Sequence, residues 1–341
     1  MKPSFSARRL LLPLNPLHRL ALAIREFQFR SGLEPVWRLR FPVVSIGNLS
    51  TGGSGKTPLT IALAKLLTAK GLQVDVLSRG YGRQSRLAVR VDLEGTAEEF
   101  GDEPLLIARE TDLPVYVAPQ RLEAGLLAED DARETAPERR RQIIHLLDDG
   151  FQHRQLVRAV DILLLDRRDW QDRLLPAGNL REPLKAVRRA SVIAIPSDEP
   201  ELEAELRAWG WQGPVWRLRR RMEFPYINGP VAAFCGIARP KQFFVGLEAA
   251  ALRVTARAVF RDHHRYTAGD IDRLIATARA AGATALVTTE KDHVRMGKLA
   301  SGFPASLPLL TARLTIEIEE QAAAIDWLLS RLGFALAHTA L

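Results

Sequence analysis

A glycine-rich segment at residues 43–67, VVSIGNLSTGGSGKTPLTIALAKLL, constrains the fold of this chain more than any other feature. A β-branched run leads into the glycines, and an apolar helical pattern follows them. Backbone N–H groups of such a loop can surround a phosphate, and the start of the helix adds the positive end of its dipole. The residues expected to do so belong to the GGSGKT motif: Gly52, Gly53, Ser54, Gly55, Lys56 and Thr57.

This motif matches the P-loop of nucleoside triphosphate-binding proteins except at its first glycine, where the chain has Ser50. By the P-loop pattern, Lys56 reaches the β- and γ-phosphates and the Thr57 hydroxyl binds Mg²⁺. Partition-type ATPases with a similar loop carry a lysine just before the two glycines, whereas this chain has Thr51 there. The segment therefore predicts a site for a nucleoside triphosphate with its magnesium ion.

A second motif supplies the carboxylates that a magnesium nucleotide needs. The apolar run IIHLL leads directly into Asp148 and Asp149, the position of a Walker-B motif. Either aspartate can hold the ion directly or through water, and the sequence leaves open which of them does.

Short apolar runs alternate with longer helical patterns along the first two thirds of the chain. The runs predict strands at 73–77, 87–91, 115–118, 143–147, 161–165 and 191–195. Several are mainly apolar, as expected for strands that are buried on both faces of a parallel sheet. Together with the glycine-rich loop they predict a P-loop NTPase-like α/β fold with a doubly wound, largely parallel sheet.

The pattern changes near residue 214, and a second, smaller α/β set begins at residue 231. We expect four parts: a basic amphipathic segment at 1–40, a P-loop domain at 41–213, a strand and connector at 214–230, and a smaller α/β domain at 231–341. The run LTIEIE at 314–319 is a potential partner of VWRLR at 215–219.

The first 40 residues carry most of the chain's excess positive charge. Eight Lys or Arg stand there against two Glu, a net +6 of the +8 in the whole chain. Leu17, Leu20, Ala21, Ile24 and Phe27 recur at helical spacing. Such a helix can lie on an anionic membrane surface or can pack on the protein's own core, and the sequence leaves both open.

Composition excludes several other classes. No apolar run approaches the roughly 20 residues that cross a bilayer, and Pro13, Asn15 and Pro16 interrupt a signal-peptide pattern. A single cysteine, Cys235, rules out an internal disulfide and a thiolate metal site. No nucleic-acid-binding module is recognisable, so we expect no nucleic-acid partner.

Further polar motifs follow the predicted strands, where ligands gather in such sheets. SRGYG offers Arg79 and Tyr81 to an anionic substrate, and LREP offers Arg181. GDEP places Asp102 at a helix start, where it is either functional or a simple cap. The sequence Asp262-His263-His264 is compatible with a proton relay, a metal fragment or a cap. TEKD at 289–292 resembles a guanine-reading motif, but its lysine and aspartate have the wrong spacing.

In order, the blocks GNLSTGGSGKTP, SRGYG, GDEP, LLDDGFQH, LLPAGNLREP, FCGIARPKQFF, DHHRYT and TEKD resemble the tetraacyldisaccharide 4'-kinase (lipid A 4'-kinase) family. Ser50 belongs to that family's own pattern. The resemblance implies transfer of the ATP γ-phosphate to the 4'-hydroxyl of an acylated disaccharide 1-phosphate, giving the 1,4'-bisphosphate in lipid A synthesis. It also implies a peripheral enzyme on the cytoplasmic face of the bacterial inner membrane, and we expect a monomer.

The resemblance assigns roles residue by residue. Lys56 and Thr57 serve phosphate and Mg²⁺, Asp148 and Asp149 the metal, and Asp102 is the base for the sugar hydroxyl. Its partner is His263, or His264 if the assignment slips by one. The candidate substrate contacts are Arg79, Tyr81, Arg121, His153 and Arg181.

The chain departs from the family pattern at Arg83, Gln120, Ala238 and Arg239, which puts detailed substrate contacts in question. Two other functions stay open at this stage. One is a P-loop kinase for another lipidic alcohol, and the other is a non-catalytic, membrane-associated P-loop ATPase switch.

Overall fold

A computed structural model describes residues 9–135 and 143–334; the ends of the predicted N- and C-terminal segments lie outside this range. A 12-stranded sheet forms the centre of the molecule. Its strands are β1 Val43–Asn48, β2 Gln73–Ser78, β3 Val89–Arg90, β4 Val115–Val117, β5 Ile143–Asp148, β6 Val160–Leu164, β7 Val192–Pro196, β8 Val215–Glu223, β9 Val231–Cys235, β10 Val254–Val259, β11 Ala285–Thr289 and β12 Leu309–Ile318.

The helices cover both faces of this sheet and connect its parallel strands. They are α1 Asn15–Arg30, α2 Lys56–Ala69, α3 Ala97–Phe100, α4 Asp102–Thr111, α5 Arg121–Thr135, α6 Arg167–Gln171, α7 Pro200–Ala208, α8 Pro240–Ala249, α9 Ala268–Ala280, α10 Glu290–Met296 and α11 Gln321–Leu332. Short 3₁₀ segments occupy Arg9–Leu14, Leu184–Arg189 and Gly297–Gly302.

The strand order is β10-β9-β11-β12-β8-β7-β6-β1-β5-β2-β4-β3. All neighbours are parallel except β3 with β4 and β8 with β12. The prediction of a doubly wound, largely parallel α/β fold is therefore confirmed. The suggested pairing of LTIEIE with VWRLR is also present, because β12 runs antiparallel to β8 with Ile318 opposite Leu218. Through β12, the strands that follow residue 230 join the same sheet as the earlier ones.

The predicted strand at 87–91 is shorter in the structure. Only Val89 and Arg90 form β3, and they pair antiparallel with β4 at the edge of the sheet. Arg90 is exposed and Val89 only half-buried, so this edge lacks the two-sided burial that the apolar run suggested. An edge strand of this kind is held by few ladder bonds.

Strand β1 and helix α2 position the glycine-rich loop between them. All six residues of β1 are buried, with Val44 and Ile46 in the main core cluster. Leu59, Leu63 and Leu67 line one side of α2 and belong to the same cluster. Burial of each such side chain stabilises the fold by about 1.5–3 kcal/mol. The loop is therefore held at both ends by packed elements.

Helix α1 presents its apolar stripe away from the protein. Leu17, Leu20, Ile24 and Phe27 are between 50% and 67% exposed. The attached face combines polar and apolar contacts: Arg25 donates to the Gln152 carbonyl at 2.6 Å, Glu26 accepts a hydrogen bond from Arg154, and Leu22 packs against a core cluster. The structure thus shows the helix attached through the side that carries these residues. Within the described ranges, no helix has the length and apolarity to cross a bilayer.

A buried charge cluster joins β2, β5 and α5 to the segment before β1. His145 Nδ1 lies 2.6 Å from Asp75 Oδ1, and its Nε2 lies 3.6 Å from Glu129 Oε1. Glu129 in turn accepts the backbone N–H of Phe41 at 3.2 Å. Burial disfavours the charged imidazole, yet Asp75 and Glu129 outweigh it and raise the pKa of His145 to about 9.

We expect this cluster to make the stability of the fold depend on pH. Because the folded pKa of His145 is raised above its ordinary value of 6.5, its contribution is complete below pH 6.5 and is lost as pH rises towards 9. The linked change is on the order of 3 kcal/mol in the free energy of unfolding. Urea unfolding from pH 6 to 9.5 measures it. His145→Gln should flatten this part of the profile; an unchanged slope would contradict the assignment.

Candidate active site

A cleft of about 1740 Å³ opens at the carboxyl ends of the central strands. Almost every side chain that the sequence analysis selected borders it. These are the GGSGKT residues with Arg79, Tyr81, Arg121, Asp148, Asp149, His153, Arg181 and His263. Asp102 lies directly behind His263. Parallel strands end at one edge, so motifs far apart in sequence meet there.

The glycine-rich loop has the backbone geometry of a phosphate cradle. Gly55 precedes α2 with a φ of +95°, a conformation that side-chain-bearing residues rarely adopt. Lys56 Nζ donates to Asn48 Oδ1 at 3.0 Å and lies 3.4 Å from Asp149 Oδ1. The Ser54 hydroxyl oxygen is buried and has no hydrogen-bond partner within the described part of the chain. An unsatisfied hydroxyl at this point fits a phosphate oxygen.

The two aspartates after β5 differ in environment. Asp148 is 1% exposed and accepts from Thr60 Oγ1 at 3.1 Å. Burial, followed by the charges of Glu103 and Asp149, raises the pKa of Asp148 to about 7. Asp149 stands at a φ of +50° and accepts from Arg181 Nη1 at 3.0 Å. Although burial opposes it, Lys56 and Arg181 lower the pKa of Asp149.

These residues suit a magnesium ion shared with phosphates. Thr57, Asp148 and Asp149 offer oxygen ligands only, which Mg²⁺ prefers, and one or two carboxylates suffice when substrate phosphates and waters complete the shell. Over the described ranges no three His, Cys, Asp or Glu side chains cluster as a self-sufficient metal site. The buried Asp148 carboxyl, with its raised pKa, is a group whose charge a cation would stabilise.

Asp102 and His263 meet although 160 residues separate them in the chain. His263 Nδ1 lies 3.2 Å from Asp102 Oδ2, and the aspartate is buried. His264 instead approaches Asp270 at 3.1 Å, so the geometry pairs Asp102 with the first histidine of DHH. The Asp102 hydrogen bond raises the pKa of His263. His263 also holds a φ of +58°, the kind of backbone strain that concentrates at functional sites.

The SRGYG and GDEP loops touch each other beside this pair. A Cβ placed on Gly101 would come within 3.0 Å of the Gly80 Cα, so the contact requires a glycine. Tyr81 lies with its ring centre 5.1 Å from that of His263. The two loops therefore bring a tyrosine and a histidine together at the mouth of the cleft.

A group of basic side chains also lines the cleft. Arg121 is 7% exposed, and burial lowers its pKa to about 10. Burial and the neighbouring charge of Arg121 lower the pKa of His153 to about 4. Arg79, Arg181 and Arg25 of α1 border the same space. So much positive charge around one cavity favours an anionic ligand.

Sequence reasoning missed several residues that contact the site. Asn48 and Thr60 hold Lys56 and Asp148. Lys291 approaches Glu103 with its Nζ at 2.5 Å from Oε1, and Arg295 binds Asp102. The sequence did contain one signal for Lys291 and Arg295. They are four residues apart, which places both on one side of a helix.

Comparison with known proteins gives a consistent result. A family model described as tetraacyldisaccharide-1-P 4'-kinase (LpxK) matches residues 7–333. A tetraacyldisaccharide 4'-kinase of Koribacter versatilis is 42% identical over 92% of this chain and 96% of its own length. One from Aeromonas hydrophila is 36% identical over 96% and 92%. A crystal structure of LpxK from Aquifex aeolicus, titled an "apo" form in complex with ATP, aligns with a TM-score of 0.74. It is 31% identical, and the alignment covers 96% of this chain and 99% of that one.

Proposed function

Since the chain belongs to the tetraacyldisaccharide-1-P 4'-kinase family, we propose that it transfers the γ-phosphate of ATP to the 4'-hydroxyl of a tetraacyldisaccharide 1-phosphate. It is an ATP-dependent kinase that acts on a lipid sugar. The observation that carries the proposal is that Lys56 and His263, with Asp102 behind it, face the same cleft. One side of the cleft serves the triphosphate, and the other serves the acceptor hydroxyl.

In the proposed reaction the 4'-oxygen forms a bond to the γ-phosphorus while the bond from that phosphorus to the β,γ-bridging oxygen breaks. The hydroxyl proton passes to the Asp102–His263 pair, and ADP leaves with the bridging oxygen. Lys56 and the loop N–H groups stabilise charge on the phosphates. Mg²⁺ bound by Thr57 and the Asp148–Asp149 pair supplies further charge neutralisation when present. A weak base is sufficient for this step. In a loose transition state the bond to the attacking oxygen is only slightly formed, so the hydroxyl becomes acidic late in the reaction.

The basic side chains of the cleft other than Lys56 are suited to the 1-phosphate of the acceptor. We assign Arg79, Arg121 and Arg181 to this group, with His153 and Tyr81 beside it. Arg181 also holds Asp149, so acceptor binding and metal binding share one arginine. On the division expected from sequence, Asp102 belongs to 41–213 and His263 to 231–341. Both parts of one chain complete the site, which is consistent with a working monomer.

The function is tested by incubating the protein with γ-labelled ATP, Mg²⁺ and the tetraacyldisaccharide 1-phosphate, then separating the lipids. Label should appear in a bisphosphorylated lipid. If another lipidic alcohol were the better acceptor, that alcohol would replace the tetraacyldisaccharide 1-phosphate as the proposed substrate. ATP hydrolysis without any labelled lipid would point to the P-loop switch instead.

We also propose that α1 binds an anionic membrane, on the cytoplasmic face of the inner membrane. Its exposed apolar stripe and the exposed Arg19 and Arg30 fit a lipid interface. The same helix supplies Arg25 to the cleft and donates to the Gln152 carbonyl, next to Arg181. A lipid substrate would then reach the basic side of the cleft without leaving the surface.

The membrane proposal predicts a selective loss of vesicle binding. The double variant Leu20→Glu/Ile24→Glu should weaken binding to phosphatidylglycerol vesicles about tenfold or more, because two aliphatic side chains inserted into the lipid contribute about 1.5–3 kcal/mol each. Co-sedimentation measures it. Leu87→Glu/Val259→Glu is the matched control, since both aliphatic residues are at least as exposed as Leu20 and Ile24 but lie outside α1. Equal binding by both double variants would refute the role of the stripe.

A further inference from the structure

Helix α10, which begins within the TEKD sequence at 289–292, packs against the start of α4. The TEKD sequence resembles a guanine-reading motif but does not have its spacing. Thr289 caps α10 by accepting the Asp292 N–H at 3.2 Å. Arg295 extends from this helix across to Asp102, and both side chains are almost fully buried, with 6% and 5% exposed. This buried ion pair connects residues that are 193 positions apart.

The contacts on Asp102 are strongly one-sided. Arg295 donates to Asp102 Oδ2 twice, from Nε at 2.7 Å and from Nη2 at 2.5 Å. His263 Nδ1 is nearest to the same oxygen, at 3.2 Å. No residue in the described ranges donates a hydrogen bond to Oδ1. Asp102 Oδ2 therefore takes the contacts of both Arg295 and His263, and Oδ1 remains available to an additional donor.

Arg295 itself has little freedom to move. Its Nη1 donates to the Gly236 carbonyl at 2.5 Å and to Asp292 Oδ1 at 3.2 Å. Asp292 is fully buried and also accepts from the Gly236 N–H and from Tyr266 Oη, each at 3.0 Å. A planar guanidinium bound at several points fixes geometry in a way that a single ammonium cannot.

We propose that Arg295 is a positioning residue that fixes Asp102 Oδ2 beside His263 and so holds the Asp102–His263 pair in the arrangement that the acceptor hydroxyl meets. This inference rests on the proposed function of Asp102. Because its Nη2 also lies 3.4 Å from His263 Nδ1, Arg295 contacts both members of the pair and sets their spacing. The buried Asp292 keeps the guanidinium in place. Arg295 borders the cleft but is only 6% exposed, and it acts through Asp102.

The test compares Arg295→Lys and Arg295→Met in the full chain, with ATP, Mg²⁺ and the lipid acceptor. Arg295→Lys should lower kcat about ten- to a hundredfold, with KM for the lipid and Kd for ATP within about twofold of wild type. Arg295→Met should lower kcat further, so that lysine rescues part of the loss. The matched control is Arg313→Lys, since Arg313 also bridges to α4, through Glu110 at 2.8 Å, but lies away from Asp102.

A double variant shows whether Arg295 acts through Asp102. If it does, Arg295→Lys in an Asp102→Asn background should change the residual kcat less than about twofold. Additive losses would overturn the inference, as would wild-type kcat in Arg295→Lys. A parallel fall of kcat, ATP affinity and melting temperature would also overturn it, because that pattern indicates a structural role only. If Asp102→Asn keeps wild-type kcat, the proposed function of Asp102 fails instead.

Discussion

Asparagine at position 102 should lower kcat for lipid phosphorylation by about 10²–10⁴-fold while ATP binding stays close to that of the wild type. A positioned base contributes a factor of this size, and the amide cannot accept the hydroxyl proton. Asp102 is buried and its partners are His263 and Arg295, whereas Lys56 of the phosphate loop contacts Asn48 and Asp149, so nucleotide contacts should persist. Steady-state kinetics and calorimetric titration of an ATP analogue measure the two quantities.

The control for this variant is Glu110→Gln. Glu110 lies on the same helix α4 and also forms an ion pair with a distant part of the chain, through Arg313 Nη2 at 2.8 Å. Both variants therefore remove one negative charge from that helix, but only Asp102→Asn should lower kcat for lipid phosphorylation. If the two variants behaved alike, the role of Asp102 would reduce to holding the fold together.

Methionine at position 56 should have the second large effect. Lys56 is 9% exposed and lies between Asn48 Oδ1 and Asp149 Oδ1. Removal of one preorganised donor to developing phosphate charge costs about 10²–10³ in kcat. We also expect weaker ATP binding, because Lys56 contributes to both ground and transition states. Rapid-quench kinetics and nucleotide titration measure these effects.

Lys65→Met is the matched control for the lysine. Lys65 stands on the same helix α2, half exposed, with Nζ 3.7 Å from Glu110. The Lys65→Met variant shows whether the removal of any positive charge from α2 is enough to lower kcat. A wild-type kcat in Lys56→Met, or an equal loss in Lys65→Met, would contradict a specific phosphate role for Lys56.

The fold was largely predictable because the strands that matter are buried on both faces. Runs such as 43–46 and 143–147 are mainly apolar, buried along their whole length and flanked by turn residues, so their type and order could be read directly. The length of strand β3 was overestimated because its apolar residues lie at the edge of the sheet. There the available partner strand, β4, decides how many residues pair, and composition does not show this. Helix α1 illustrates another limit. An apolar stripe is the same whether it faces core or solvent, and only its polar contacts with Gln152 and Arg154 show which.

The candidate site was predictable to the extent that motifs at parallel strand ends converge. The loop, the Asp148–Asp149 pair and SRGYG all lie at the edge where the sheet topology places them. The partners of Asp102 were harder to find. The sequence alone could not distinguish His263 from His264, and Arg295 carries no motif of its own. Both questions depend on how α10 and the loop after β10 pack against α4, which is long-range geometry.

The most direct measurement of the central claim is the position of the new phosphate. The protein is incubated with ATP carrying ¹⁸O in its γ-phosphate, with Mg²⁺ and the tetraacyldisaccharide 1-phosphate, and the lipid is examined by tandem mass spectrometry. We predict one labelled phosphate on the 4'-oxygen, with the 1-phosphate intact, and no labelled lipid from Asp102→Asn or Lys56→Met at matched times. Label at another position, or equal labelling by the Asp102→Asn variant, would contradict the account.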